Sequence, residues 1–327
     1  MAEIDQRWLA AGQHGMCCGR VEPVGRSFQG MVFEEKTFVL GVGAQKAGTT
    51  WLHDYLSQRG DIHMPRKEIH YFNKKYGPGR EPDEFDNSAF GQKRGGDFYR
   101  EFFRKRVPDE INFFGEITPA YAIIGKRGFQ EIKNLFSKSR VIFIMRDPVQ
   151  RFYSQIRMFR DKWKDVDHSD LDSFLDKRKF VERSQYEKTI RALESAFSRE
   201  EIIYLFYETL FCSESIEFLC HAIGVPYIPA DLENVVNSGG ARDQVAPSIH
   251  DRLLEKFEPT YRFCNEKFGS ALPAQWHSPD QPVRERPADA DQKIATGETP
   301  DSMEQSGTRN GAQPGCGDTR AIQPARN

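Results

Sequence analysis

Three scarcities bound this chain before any motif is read: few cysteines, little net charge and no long apolar run. Only six cysteines occur in 327 residues. Cys17 and Cys18 are adjacent, and Cys212, Cys220, Cys264 and Cys316 are scattered, so no disulfide framework is expected. His14 with Cys17 and Cys18 lacks the second cluster that a structural metal site needs, and is read as part of a flexible extension. A formal net charge of −2 suggests no nucleic-acid partner and no general attraction to an anionic membrane. No segment approaches the roughly 20 apolar residues of a membrane span. The N-terminus, MAEIDQRWLAAGQHGMCCGR, lacks the apolar stretch of a signal peptide, so a cytoplasmic location is expected. No repeat of solenoid length is present.

What is there begins with enough apolar material for a sizeable core: 38% hydrophobic residues, 25 of the total being phenylalanine. The length suits one large α/β domain with extensions. Residues 1–35 lack periodicity and read as an N-terminal extension. Residues 36–272 carry the domain. Residues 273–327, rich in Pro, Gly, Asp and Gln, cannot bury enough surface to offset chain entropy and read as a disordered tail.

The domain is organised around FVLGVGAQKAGTTWLHDYL, residues 38–56. Phe38, Val39, Leu40 and Val42 read as a buried strand, and Trp51, Leu52, Tyr55 and Leu56 recur at helical spacing. Between them lies a loop with Gly43 and Gly48 where the nucleotide P-loop G-x-x-x-x-G-K-[ST] has its glycines. Thr50 holds the hydroxyl place, but Thr49 stands where the lysine belongs, and the only lysine, Lys46, lies inside the loop. Strand, tight loop and helix N-terminus bind anions through free N–H groups and the helix dipole. A displaced lysine must meet a different part of that anion.

Further along, Arg59-Gly60 is expected to end the first helix. Lys67-Glu68-Ile69-His70-Tyr71-Phe72 is either an edge strand with a solvated face or a carboxylate base beside the anion loop. Residues 97–107 predict an amphipathic helix, with Phe98, Phe102 and Phe103 on one face. In 111–124 a short strand runs to a turn at Thr118-Pro119, where Glu116 either holds a ligand or supports the segment. After a helix over 126–137, residues 140–145 predict a second buried strand leading into Arg146-Asp147-Pro148. Asp147 suits a helix cap, Pro148 the first turn, and the planar fork of Arg146 a phosphate. Arg151, Arg157, Arg160, Lys162 and Lys164 are read as a basic, solvated helix face. Helical pieces over 165–200 precede a third buried strand at 201–207. A helix over 213–223 turns Cys220 inward and stops at Gly224. A polar loop at 237–244 leads to a helix over 248–268.

QKAGTT at 45–50, KEIHYF at 67–72, GEITPAY at 115–121 and the strand with RDPVQRFYS at 141–154 stand in order. The set resembles the PAPS-dependent sulfotransferases, and is most similar to the heparan-type carbohydrate enzymes and their bacterial relatives. The resemblance covers about residues 36–270. It implies a single α/β domain: a mainly parallel central sheet flanked by helices, with a P-loop-like phosphosulfate loop. It implies PAPS as co-substrate and no metal. Lys46 would stabilise the bridging oxygen, and Ala47, Gly48, Thr49, Thr50 and Trp51 would cradle the 5′-phosphosulfate. Arg146 and Ser154 would bind the 3′-phosphate, with Arg242 a candidate from the loop that closes over the donor. Glu68 would be the general base, with His70 beside it. The acceptor would be a hydroxyl or amine of a small molecule or carbohydrate. One departure is Ile117, where the family motif EKTPAY has lysine; another is the missing glycine-rich RKG-type segment of the phenol and steroid enzymes. The rival readings are a P-loop nucleotide kinase, against which Thr49 counts, and a binding module without catalysis. Oligomeric state is not legible.

Overall fold

The computed structural model describes residues 32–82, 96–162, 172–175, 177–232 and 247–276. Among them, five strands form one parallel sheet: β1 Thr37–Gly43, β2 Ile62–His63, β3 Phe113–Ile117, β4 Ser139–Met145 and β5 Ile202–Phe206. Their order is β2-β3-β1-β4-β5. The connecting helices are α1 Thr49–Ser57, α2 Tyr71–Tyr76, α3 Gly96–Arg104, α4 Gly125–Leu135, α5 Pro148–Lys162 and α6 Asp172–Leu175. They continue with α7 Arg178–Val181, α8 Tyr186–Glu194, α9 Tyr207–Leu210, α10 Ser213–Ile223 and α11 Pro247–Phe268.

The central strands are buried on both faces, which is why β1 and β4 read as near-continuous apolar runs rather than alternating ones. Gly41 in β1 makes room for Ile117 at the end of β3: a Cβ at position 41 would lie 2.7 Å from the Ile117 side chain. The residue that replaces the family lysine is therefore fully buried core. The interior on one side is aromatic. Phe38 stacks on Phe136 at 4.0 Å between ring centroids and meets Phe103 edge-on at 5.3 Å, with Tyr99 and Phe114 closing the cluster. A second cluster, with Phe152, Phe174, Phe180, Leu253 and Phe257, joins α5 to α6, α7 and α11. Burying one such side chain contributes about 2–3 kcal/mol.

Strand order decides where a ligand fits. The chain leaves β1 toward the β2 edge and leaves β4 toward β5, so two adjacent strands send their exits in opposite directions. That reversal opens a crevice at the carboxyl ends of β1 and β4.

Several expectations are corrected. Gly60 does not stop α1. The helix ends at Ser57 with Gln58 as its C-cap, and Arg59 turns inward to Asp61, through hydrogen bonds of 2.8 and 2.7 Å, and to the Pro226 carbonyl. Residues 67–70 are no edge strand; they form a turn into α2, and β2 lies just before them. Arg151 does not belong to a solvated basic face, being completely buried. Cys220 and Cys264 are free and buried. His14, Cys17, Cys18, Arg242, the loop at 237–244 and the tail from residue 277 lie outside the described residues. Among those described, no helix is long and apolar enough to cross a membrane.

Candidate active site

The β1–α1 loop is shaped by backbone. Lys46 and Gly48 both take left-handed conformations, with φ of 73° and 80°. At position 48 glycine is needed twice over: a Cβ would also press on Leu210, Tyr207 and Phe211 at 3.2–3.4 Å. The Ala44 N–H is tied to the Ile144 carbonyl at 2.6 Å, fixing the loop to β4, and the Ala47 N–H turns onto the Ala44 carbonyl at 3.2 Å. Ala47 thus spends on the loop's own turn the N–H expected to face a ligand. The first helical bond runs from Leu52 N–H to the Gly48 carbonyl, 3.1 Å. Helix geometry leaves the N–H groups of Thr49, Thr50 and Trp51 over for an anion. The Trp51 side chain is structural: it stacks on Tyr55, and its Nε1 donates to the Asp231 carbonyl at 3.2 Å. Thr50 Oγ1 accepts from Lys67 Nζ at 2.7 Å, which frees its own hydroxyl proton to donate elsewhere.

The β4–α5 crossing supplies the opposite wall. Arg146 Nη1 donates to the Lys46 carbonyl over 3.1 Å, and its guanidinium lies 4.5 Å from the centroid of the Tyr207 ring. Its backbone is clamped by Tyr186, whose hydroxyl donates to the Arg146 carbonyl at 2.6 Å. Asp147 caps α5 as expected: Oδ1 accepts the Gln150 N–H at 2.8 Å, while Oδ2 accepts from Tyr261 of α11 at 2.6 Å. Ser154 is buried on α5, seven residues beyond that cap and on the same helix face two turns along.

At the carboxyl end of β3, beside the start of α1, stands the turn at 67–70. Glu68 and His70 are both left-handed, with φ of 57° and 61°, conformations that cost non-glycine residues about 1–3 kcal/mol each. Alternate residues thereby meet: His70 Nε2 lies 3.0 Å from Glu68 Oε2, while Ile69 between them is buried. The hydrogen bond from His70 holds Glu68 below its ordinary pKa, against a smaller opposing effect of burial, and the same bond lifts His70 above its own. His70 Nδ1 is in turn 3.2 Å from Asn73 Oδ1, so a doubly protonated ring has a partner on each side.

What holds the turn is Glu116. This fully buried carboxylate accepts from Ile69 N–H at 2.9 Å, Thr118 Oγ1 at 2.6 Å, Tyr121 at 3.0 Å and also Tyr99. Of the two roles open to Glu116, the structure gives it the supporting one. The Glu68 N–H adds a bond to the Ile117 carbonyl at 3.1 Å.

Sequence reading brought Lys46, Arg146, Glu68 and His70 forward and missed two neighbours. Arg183, just before α8, donates from Nη1 to the side chain of Gln45 at 2.5 Å. No local pattern marks it; only the fold places it there. Glu208 accepts the Asp147 N–H at 2.7 Å, and burial pushes its pKa up to about 7. Arg146 directly follows its buried strand, whereas Glu208 comes one residue later, after Tyr207, inside the first turn of α9.

A sequence profile of the sulfotransferase family matches residues 39–229. Among solved structures, a sulfotransferase from Alicyclobacillus acidocaldarius is similar, with a TM-score of 0.58 and 21% identity over 73% of this chain and 98% of that one. Mouse sulfotransferase SULT7A1, complexed with PAP, gives a TM-score of 0.44 and 14% identity over 70% of this chain and 84% of that one. No curated protein sequence matches.

Proposed function

The chain belongs to the sulfotransferase family, and on that premise we propose that it transfers the sulfuryl group of PAPS to a hydroxyl or amine, carbohydrate hydroxyls included. One observation carries the donor assignment: the fork of Arg146 rests on the carbonyl of Lys46. A lysine suited to a bridging oxygen and an arginine suited to a separate phosphate therefore share the crevice between β1 and β4. A donor with both a 5′-phosphosulfate and a 3′-phosphate has an anion for each. Residues 36–272 form the catalytic unit in this reading.

The reaction is an in-line displacement. The acceptor oxygen or nitrogen forms a bond to sulfur as the bond from sulfur to the bridging phosphate oxygen breaks. The acceptor proton passes to Glu68, and the departing electron pair stays on the bridging oxygen beside Lys46. Adenosine 3′,5′-bisphosphate is the second product. Positioning and fixed charge supply the rate enhancement, since sulfuryl transfer needs little covalent help. The N–H groups of Thr49, Thr50 and Trp51, with the Thr50 hydroxyl set by Lys67, hold the 5′ end. Arg146 and Ser154 hold the 3′-phosphate, and Arg242 is a further candidate for binding the donor. His70 keeps Glu68 ionised and aimed.

The test is a melting experiment followed by turnover. Adenosine 3′,5′-bisphosphate is expected to raise the melting temperature more than ATP with Mg²⁺ does. PAPS with an acceptor library is expected to yield products heavier by one sulfuryl group. Stabilisation by ATP with Mg²⁺ alone would overturn the donor assignment, and PAPS binding without any product would favour a binding module.

A further inference from the structure

Arg183 and Arg151 are both arginines set close to the crevice, but only one of them is satisfied. Arg151 is sealed in, its three kinds of donor taken by Ser184, Gln155 and the Phe180 carbonyl. Arg183 is partly exposed and makes one neutral hydrogen bond, to Gln45. Its Nε is buried without a partner, and among the described residues no carboxylate pairs with it. The fold fixes its place, because the neighbouring Ser184 is gripped by Arg151 and donates to the Pro148 carbonyl at 2.9 Å.

A guanidinium with a buried, unpartnered N–H is costly in an apo protein and becomes favourable when an anion arrives. The surroundings say which anion. On one side Arg183 touches Gln45, the residue before Lys46. On the other, Glu68 acts on its charge and opposes the downward push that burial gives its pKa. Arg146, by contrast, reaches the same loop at the Lys46 carbonyl. Arg183 therefore stands against the loop that carries the leaving-group lysine and within the field of the proposed base, and what lies between those two in a displacement is the group being transferred.

We propose that Arg183 binds the non-bridging sulfuryl oxygens of the donor, a role that rests on the PAPS reading above. Its planar fork suits two oxygens of a tetrahedral anion. The charge is built into the wall before the ligand enters.

PAPS and adenosine 3′,5′-bisphosphate differ only by the sulfuryl group, so the two nucleotides together form the assay. Calorimetric titration of the full chain with each is compared for wild type, Arg183→Met and Arg183→Lys. Arg183→Met is expected to weaken PAPS by about tenfold or more and the bisphosphate by less than about twofold. Arg183→Lys is expected to recover part of the loss. Equal weakening of both nucleotides would overturn the proposal by assigning Arg183 to the fold. Unchanged affinity for both would overturn it too, and loss of turnover on acid-bearing acceptors alone would move the arginine to the acceptor side. If Arg183→Met does not fold, Arg183→Lys decides by the same ratio. Wild type that binds neither nucleotide removes the donor reading and this proposal with it; wild type that binds both, with an unaltered ratio in the variants, removes the Arg183 assignment alone.

Discussion

The carboxylate of Glu116 accepts the backbone N–H of Ile69 at 2.9 Å, across 47 positions of sequence. Through that bond the end of β3 sets the turn that carries Glu68 and His70. The carboxylate is fully buried and satisfied by donors alone, so its charge and its hydrogen bonds cannot be separated.

Glu116→Gln places an amide NH₂ against groups that themselves donate. It is expected to cost about 2–3 kcal/mol of stability, read by chemical denaturation. Thr118→Val removes one of the four donors and should cost about 1 kcal/mol. Equal stability of Glu116→Gln and wild type would show that the turn is held by something else.

The Glu68–His70 pair sets a pH window. His70 is raised, so its part of the stabilisation is complete below the ordinary histidine value and is lost as pH rises through the raised one. Glu68 is lowered, so its part is lost as pH falls through the lowered value. NMR titration of His70 is expected to show a midpoint above 6.5 that drops in Glu68→Gln. The same variant should abolish most sulfuryl transfer. A midpoint indifferent to residue 68 would dissolve the pair.

Arg146→Lys exchanges a fork for a point charge and loses the stacked contact with Tyr207. Affinity for adenosine 3′,5′-bisphosphate should fall about 10- to 100-fold, with a smaller loss for adenosine 5′-phosphate, which lacks the 3′ group. Matched losses for the two ligands would place Arg146 away from the 3′-phosphate.

Glu208 makes stability fall with rising pH. Its folded value of about 7 lies above the ordinary 4.5, so the folded state binds the proton more tightly. Its contribution is present below the ordinary value and is lost as pH climbs through about 7. Glu208→Gln should flatten the drop in melting temperature between pH 5 and pH 8, the range that spans this transition (about three units). A drop of unchanged size would clear Glu208 of it.

Sheet, loop and helix starts were legible because each rests on local physics. Val39 to Val42 and Val141 to Met145 are apolar runs that only a doubly covered strand buries, and Asp147-Pro148 is a cap whose geometry is set within four residues. The turn at 67–70 was not legible as a turn, because its left-handed residues are a glutamate and a histidine held from a distance by Glu116. Arg151, read as part of a solvated face, and Arg59, read only as a helix end, were obscure for the same reason. Each is a charged residue that the fold takes inside, against partners such as Pro226 and Phe180 that no spacing reveals. Arg183 belongs with them, its meaning supplied wholly by the loop it faces.

Arg151 has one more consequence. Burial drops its pKa to about 9, but at neutral pH it keeps its charge, held among neutral acceptors where dissolved ions do not penetrate. Arg146 and Arg183 both feel that charge. Salt therefore screens this charge from its buried neighbours much less than it screens a surface arginine, and a seated anion keeps part of that attraction when ionic strength rises.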